Sequence, residues 1–256
     1  MKKLLSSLAL CALFPLASAQ TPAPAAVTAP AAASQKPDAS AAIEKKDPTG
    51  KFQKMHAAFL ARGQAGPIGV LFLGDSITEG WTKAPHIWEH YYAKWQPANF
   101  GIGGDNTQHV IWRIANGELD GLHPKVVVVM IGTNNAGTND AAEIAAADRK
   151  IVALIREKIP ATKVLLLGIF PRGPRKNTNG SIDPWEKRME IIRAVNADLA
   201  KLDDGASVRF LDLTEKFLGQ DGKIPFSIMP EQLHPNAAGY QIWADAMQPL
   251  LTAMMK

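Results

Sequence analysis

The stretch Val70-Leu71-Phe72-Leu73-Gly74-Asp75-Ser76-Ile77-Thr78 decides the fold. Four apolar residues in a row, with no polar residue alternating among them, read as a strand buried on both faces. Strands of that kind belong to parallel sheets covered by helices. Gly74 ends the run and Ser76 follows two residues later. In open parallel sheets ligands lie beyond the carboxyl ends of the strands. Ser76 therefore stands where a nucleophile would be of use.

The same grammar repeats downstream. Val126-Val127-Val128-Val129-Met130-Ile131 is the strongest strand signal, β-branched on both faces, and it ends at Gly132-Thr133-Asn134-Asn135. Weaker strands read at 97–100, 163–168 and 208–213. Helical spacing or composition covers 51–62, with Gly63 as its stop, then 86–95, 106–116, 141–159, 185–202 and 235–253, with Pro235 opening the last. Strand and helix alternate throughout, which predicts a three-layer α/β/α sandwich with right-handed crossovers. A Pro/Gly/Arg-rich loop occupies 171–184.

The 256 residues divide into three parts. Residues 1–19 read as a secretory signal, with Lys2 and Lys3, an apolar run from Leu4 to Leu16, and Ala17-Ser18-Ala19 as cleavage site. The run is too short to span a bilayer. Cleavage after Ala19 predicts a periplasmic or extracellular protein and removes Cys11, the single cysteine. A lipid anchor on Cys11 is the weaker reading, because Leu10 stands where a small residue is expected. Residues 20–50 are Ala/Pro-rich and read as a disordered tether, which leaves 51–256 as one domain. The formal net charge is +4, and two units of it leave with Lys2 and Lys3. So small and dispersed a charge excludes nucleic acid as the expected partner.

Four segments fall at predicted strand ends or in the last loop, and they carry Ser76, Gly104, Asn134 and His234. A serine hydroxyl needs a base, and His234 is the candidate. Glu231, three residues earlier, could hold the imidazole tautomer. An attacked carbonyl becomes an oxyanion that needs fixed donors. The backbone N–H groups of Ser76 and Gly104 and the amide of Asn134 are the candidates.

Gly74-Asp75-Ser76-Ile77-Thr78, Gly101-Ile102-Gly103-Gly104-Asp105, Gly132-Thr133-Asn134-Asn135 and His234-Pro235-Asn236-Ala237-Ala238-Gly239-Tyr240 resemble, in order, the four blocks of the GDSL/SGNH hydrolases. The likeness is greatest to the platelet-activating-factor acetylhydrolase catalytic subunits and their bacterial relatives, through Asn99–Asp105 and Val129–Asn135. It spans about 51–253. The resemblance implies a flavodoxin-like five-stranded parallel sheet and ester hydrolysis without metal or cofactor. It also implies Ser76, Gly104, Asn134 and His234 as the functional residues. The related subunits form dimers, which leaves a homodimer open here. Two positions depart from the usual pattern. Glu231 replaces the aspartate expected three residues before the histidine, and Asn135 follows Asn134 where aspartate is frequent, a feature the acetylhydrolase subgroup shares.

The expectation is a secreted serine esterase acting on small acyl esters, by resemblance acetyl esters, of sugars, alcohols or lipids through an acyl-enzyme on Ser76. A non-catalytic carbohydrate- or lipid-binding protein on the same fold is the alternative. A third reading takes His86-Ile87-Trp88-Glu89-His90 as an H-x-x-E-H zinc motif, but no third protein ligand is marked by any motif. His56, His109 and His123 compete poorly with His234 as base. Gly101-Ile102-Gly103-Gly104 fails as a dinucleotide loop, because Asn106 stands where the third glycine belongs. The aromatic residues of 81–95 read as core or as the wall of an acyl or sugar pocket.

Overall fold

The computed structural model describes residues 36–177 and 179–256. Its centre is a five-stranded sheet of β1 (Val70–Gly74), β2 (Pro97–Gly101), β3 (Val126–Met130), β4 (Lys163–Leu167) and β5 (Val208–Leu211). All neighbouring pairs are parallel and the spatial order is β2-β1-β3-β4-β5. The expected three-layer sandwich and flavodoxin-like sheet are therefore present. Gly74 is level with Gly101 on one side and with Met130 on the other. The loops that follow β2, β1 and β3 thus leave the carboxyl edge of the sheet at one height. That register brings Ser76, Gly104 and Asn134 toward one crevice.

The period-two geometry of a strand divides the core. Leu71, Leu73, Val127, Val129, Val164 and Leu166 face one way. There they pack against α1 (Lys51–Gln64), α4 (Thr107–Ala115), α5 (Ala141–Lys158) and α6 (Trp185–Leu199). Val70, Phe72, Val126, Val128, Leu165 and Leu167 face the other way. They meet α3 (Pro85–Tyr92), α7 (Ala237–Met254) and the short α2 (Ser76–Glu79). Trp81 and Tyr92 are buried in this second layer, so these two rings belong to the core.

Two helix ends differ from the sequence expectation. α1 continues past Gly63 to Gln64. A Cβ on Gly63 would come within 2.9 Å of Leu122 Cδ2, so the glycine serves close packing rather than termination. α7 begins at Ala237, after an N-cap at Asn236 whose side chain accepts from Gly239 N. Pro235 lies just outside it.

The tether expectation needs correction for 36–50, while residues 1–35, on which the expected signal and Cys11 fall, lie outside the described residues. Ala39 is buried, and its carbonyl accepts from Thr107 Oγ1 at 2.9 Å. Asn139 Nδ2 donates to Pro37 O at 3.0 Å, and Ile43 N donates to Gln108 O. Composition scores only apolar area. This strap is held instead by polar groups of α4 and the loop after β3, which it satisfies where they are shielded from water.

Candidate active site

α2 begins at Ser76 immediately after β1, and Asp75 is its N-cap, accepting from Ile77 N at 2.9 Å. This sharp strand-to-helix turn raises the Ser76 side chain at the sheet edge. His234 arrives from the loop before α7. Its Nε2 lies 2.8 Å from Ser76 Oγ. Its Nδ1 lies 2.5 Å from Glu231 Oε1, which also accepts from the His234 backbone N–H at 2.7 Å. With Nδ1 donating to the carboxylate, Nε2 is left to accept the hydroxyl proton. Tyr240 Oη donates to Ile77 O at 2.7 Å and ties α7 to the serine turn.

Burial raises the Glu231 carboxyl, but the hydrogen bonds and charge of His234, with Arg175, hold it below its ordinary range. Arg175 Nε stands 2.7 Å from Glu231 Oε2, a charge contact without the alignment of a hydrogen bond.

The donor side is built from the loops after β2 and β3. Gly104 has φ +73°, a left-handed conformation natural to glycine. Neither its N–H nor that of Ser76 meets an acceptor among the described residues. Asn134 Nδ2 donates one hydrogen to Asp105 O at 2.8 Å, and the other meets no acceptor among the described residues. Gly103 N donates to Glu79 Oε2 at 2.5 Å, and Glu79 pairs with Lys51 at 2.7 Å. Lys45, from the N-terminal strap, donates to Gly103 O at 2.6 Å. Arg113 is fully buried beneath, donating to Asp105 Oδ2 at 3.1 Å and to Gly74 O at 3.3 Å, with Glu118 as its second carboxylate. Asn135, also buried, accepts from Thr107 N and donates to Gln108, so it locks the β3 loop onto α4.

A cleft of about 740 Å³ adjoins the histidine side and is lined by His234, Glu231, Arg175, Lys83, Lys176 and Phe226 among others. Pro174, Arg175, Lys176 and Ile182 form one wall. Beside them Asp183 accepts from Arg172 at 2.5 Å and pairs with Arg188 at 2.9 Å.

Two buried carboxyls flank the site. Burial pushes Asp75 up to about 7, and Asp105 nearby adds to the effect. Burial likewise pushes Asp105 up to about 6, against the opposing pull of Arg113 and Lys45. Each therefore binds its proton more tightly folded than unfolded. The stability this contributes is complete below the unfolded value near 4 and is lost as pH rises toward 6 and 7. Asp75→Asn keeps a capping oxygen and removes the titration. It should flatten the fall in Tm between pH 4 and 7 by roughly 10 °C. Thermal melts across that range check this. An unchanged slope would assign the proton uptake elsewhere, to Asp105 at about 6 and then to the buried Asp148.

Residues 72–242 match the model of the GDSL-like lipase/acylhydrolase family. The chain belongs to that family. It is 35% identical over 206 residues to the human platelet-activating factor acetylhydrolase IB subunit alpha1, across 80% of this chain and 85% of that protein. The bovine alpha2 subunit is also 35% identical, with 80% and 84% covered. Among solved structures, a GDSL-like lipase from Bacteroides thetaiotaomicron superposes with a TM-score of 0.63 at 18% identity, covering 79% and 98% of the two chains. A G-D-S-L family protein from Veillonella parvula gives 0.56 at 20% identity, covering 72% and 97%. These distant structures share the fold.

This GDSL acylhydrolase is an ester hydrolase. Within it, glutamate at 231 reaches the imidazole in spite of its extra methylene. The zinc alternative finds no support in placement. His86, Glu89 and His90 are exposed, and among the described residues no three His, Cys, Asp or Glu side chains are grouped as ligands would be. His56 is buried against Glu118 and Asn116 O, and His109 accepts from Asn106 N at the start of α4. Sequence reasoning missed Lys45, Glu79 and Arg175. Glu79 could have been found, because it lies three residues beyond Ser76 in the same turn. Lys45 and Arg175 sit in segments of low complexity or irregular structure, where spacing carries no signal.

Proposed function

We propose that this acylhydrolase is an exported serine esterase that cleaves small acyl esters, acetyl among them, through an acyl-enzyme on Ser76. The observation that carries the reading is the unbroken line Ser76 Oγ–His234 Nε2, His234 Nδ1–Glu231 Oε1, at 2.8 and 2.5 Å. Ser76 Oγ attacks the ester carbonyl carbon while its proton passes to Nε2. The oxyanion is received by Ser76 N–H, Gly104 N–H and the free hydrogen of Asn134. Collapse breaks the C–O bond, and the leaving alcohol takes the proton from Nε2. Water then attacks the acyl-serine, gives its proton to Nε2, and releases the acid as Ser76 regains its hydrogen.

One feature supports a short acyl group. The spacious cleft lies on the histidine side, toward which the alcohol departs. The relatives named acetylhydrolases point the same way. Export rests on Lys2, Lys3, the apolar run and Ala17-Ser18-Ala19.

A p-nitrophenyl ester series should give kcat/KM falling at least tenfold from the two-carbon to the eight-carbon acyl chain. A fluorophosphonate should label Ser76. Sequencing of the exported protein should begin at Gln20. A preference for long chains, or no labelling, would overturn the reading.

A further inference from the structure

Lys45 is an odd cation. It comes from the strap outside the α/β sandwich, its side chain is largely buried at 19% exposure, and its ammonium pairs with the fully buried Asp105. Nζ donates to Gly103 O at 2.6 Å and stands 3.4 Å from Asp105 Oδ1. It also lies 3.2 Å from where a Cβ on Gly104 would sit. Gly103 O and Gly104 N–H are the two ends of one peptide unit. Amide resonance couples them, so charge placed on the oxygen draws electron density from the nitrogen and makes its hydrogen more positive.

We infer that Lys45 is a positioning residue that polarises the Gly103–Gly104 peptide and so strengthens the Gly104 N–H as an oxyanion donor. The inference rests on the proposed role of that N–H. The ammonium acts through the peptide plane, which it holds by a charge-assisted bond, while Asp105, itself anchored by Arg113, holds the ammonium. The neighbouring Ile102–Gly103 peptide is held by Glu79 at the Gly103 N–H. Both peptide planes that shape the donor loop are therefore fixed by charged side chains. Lys45 is supplied by the strap, which makes residues 36–50 part of the functional unit.

The expected effect follows from known magnitudes. An oxyanion donor is worth roughly 10²–10³ in kcat. Polarisation strengthens a hydrogen bond by up to about a third. Removing it should cost roughly tenfold.

In the full chain, Lys45→Met should lower kcat on p-nitrophenyl acetate about tenfold and leave KM within twofold. Lys45→Arg should recover most of the loss. An arylboronic acid, which forms a tetrahedral adduct on an active serine, should bind Lys45→Met about tenfold more weakly. The strap keeps its other anchors at Pro37, Ala39 and Ile43, so Tm should hold. Wild-type kcat in Lys45→Met would overturn the inference. So would a loss that Arg does not restore and that accompanies a fallen Tm. Fluorophosphonate labelling separates the two levels. Labelled Ser76 with no effect at Lys45 removes this inference alone, and no labelling in the wild type removes the serine mechanism beneath it.

Discussion

Ser76→Ala is expected to lower kcat for ester hydrolysis about 10⁵-fold, and His234→Ala by a similar factor. The loss should be catalytic and not structural. Ser76 Oγ has His234 Nε2 as its partner, whereas Asp75 supplies the cap of α2. Circular dichroism and Tm should therefore be those of the wild type. The double variant should be no worse than either single one, because hydroxyl and imidazole act as one unit and removing either disables both. Multiplied losses in the double variant would mean that the two groups act separately. Near-wild-type turnover in Ser76→Ala would show that the serine is not the nucleophile. A residual rate well above the uncatalysed one is expected, since the Gly104 and Asn134 donors remain.

Much of this was legible before the structure, for a definite reason. The strands at 70–74 and 126–130 are apolar on both faces, and only a sheet covered on both sides buries them. The loops carrying Ser76, Gly104 and Asn134 follow β1, β2 and β3, at the end where such sheets bind ligands. What stayed hidden was polar and long-range. Arg113 is fully buried between Asp105 and Glu118, a triad assembled from a helix and two turns. Nothing in the helix's periodicity marks Arg113 as a core residue. Residues 36–50 were misjudged because a low-apolar segment reads as a chain that cannot repay its ordering entropy. Here Asn139, Thr107 and Lys150 side chains meet its backbone carbonyls, and that contribution is invisible to composition. The likeness to the family blocks reached the site, but not the strap that borders it.

Glu231→Gln should cost roughly 10³-fold in kcat, more than a simple isostere suggests and less than loss of His234. Glu231 Oε1 accepts two donors, the His234 backbone N–H and Nδ1–H, while Oε2 faces Arg175 Nε at 2.7 Å. A carboxylate carries negative charge on both oxygens, and an amide has only one oxygen to offer. If the glutamine oxygen turns to His234, its NH₂ confronts the guanidinium. If the oxygen turns to Arg175, the NH₂ opposes both the backbone N–H and Nδ1. The imidazole then accepts at Nδ1 and carries its proton on Nε2, where it cannot take the one from Ser76. Arg175 favours this second arrangement. Removing the cation should therefore help the damaged enzyme. Glu231→Gln with Arg175→Ala should recover about tenfold over Glu231→Gln, while Arg175→Ala alone should reduce wild-type activity by only a few-fold, because that contact is about 40% exposed on both sides. Steady-state kinetics of the four proteins decide it. A double variant slower than Glu231→Gln would show that Arg175 supports the imidazole by some route other than the orientation of residue 231. Wild-type rates in Glu231→Gln would take the carboxylate out of the relay.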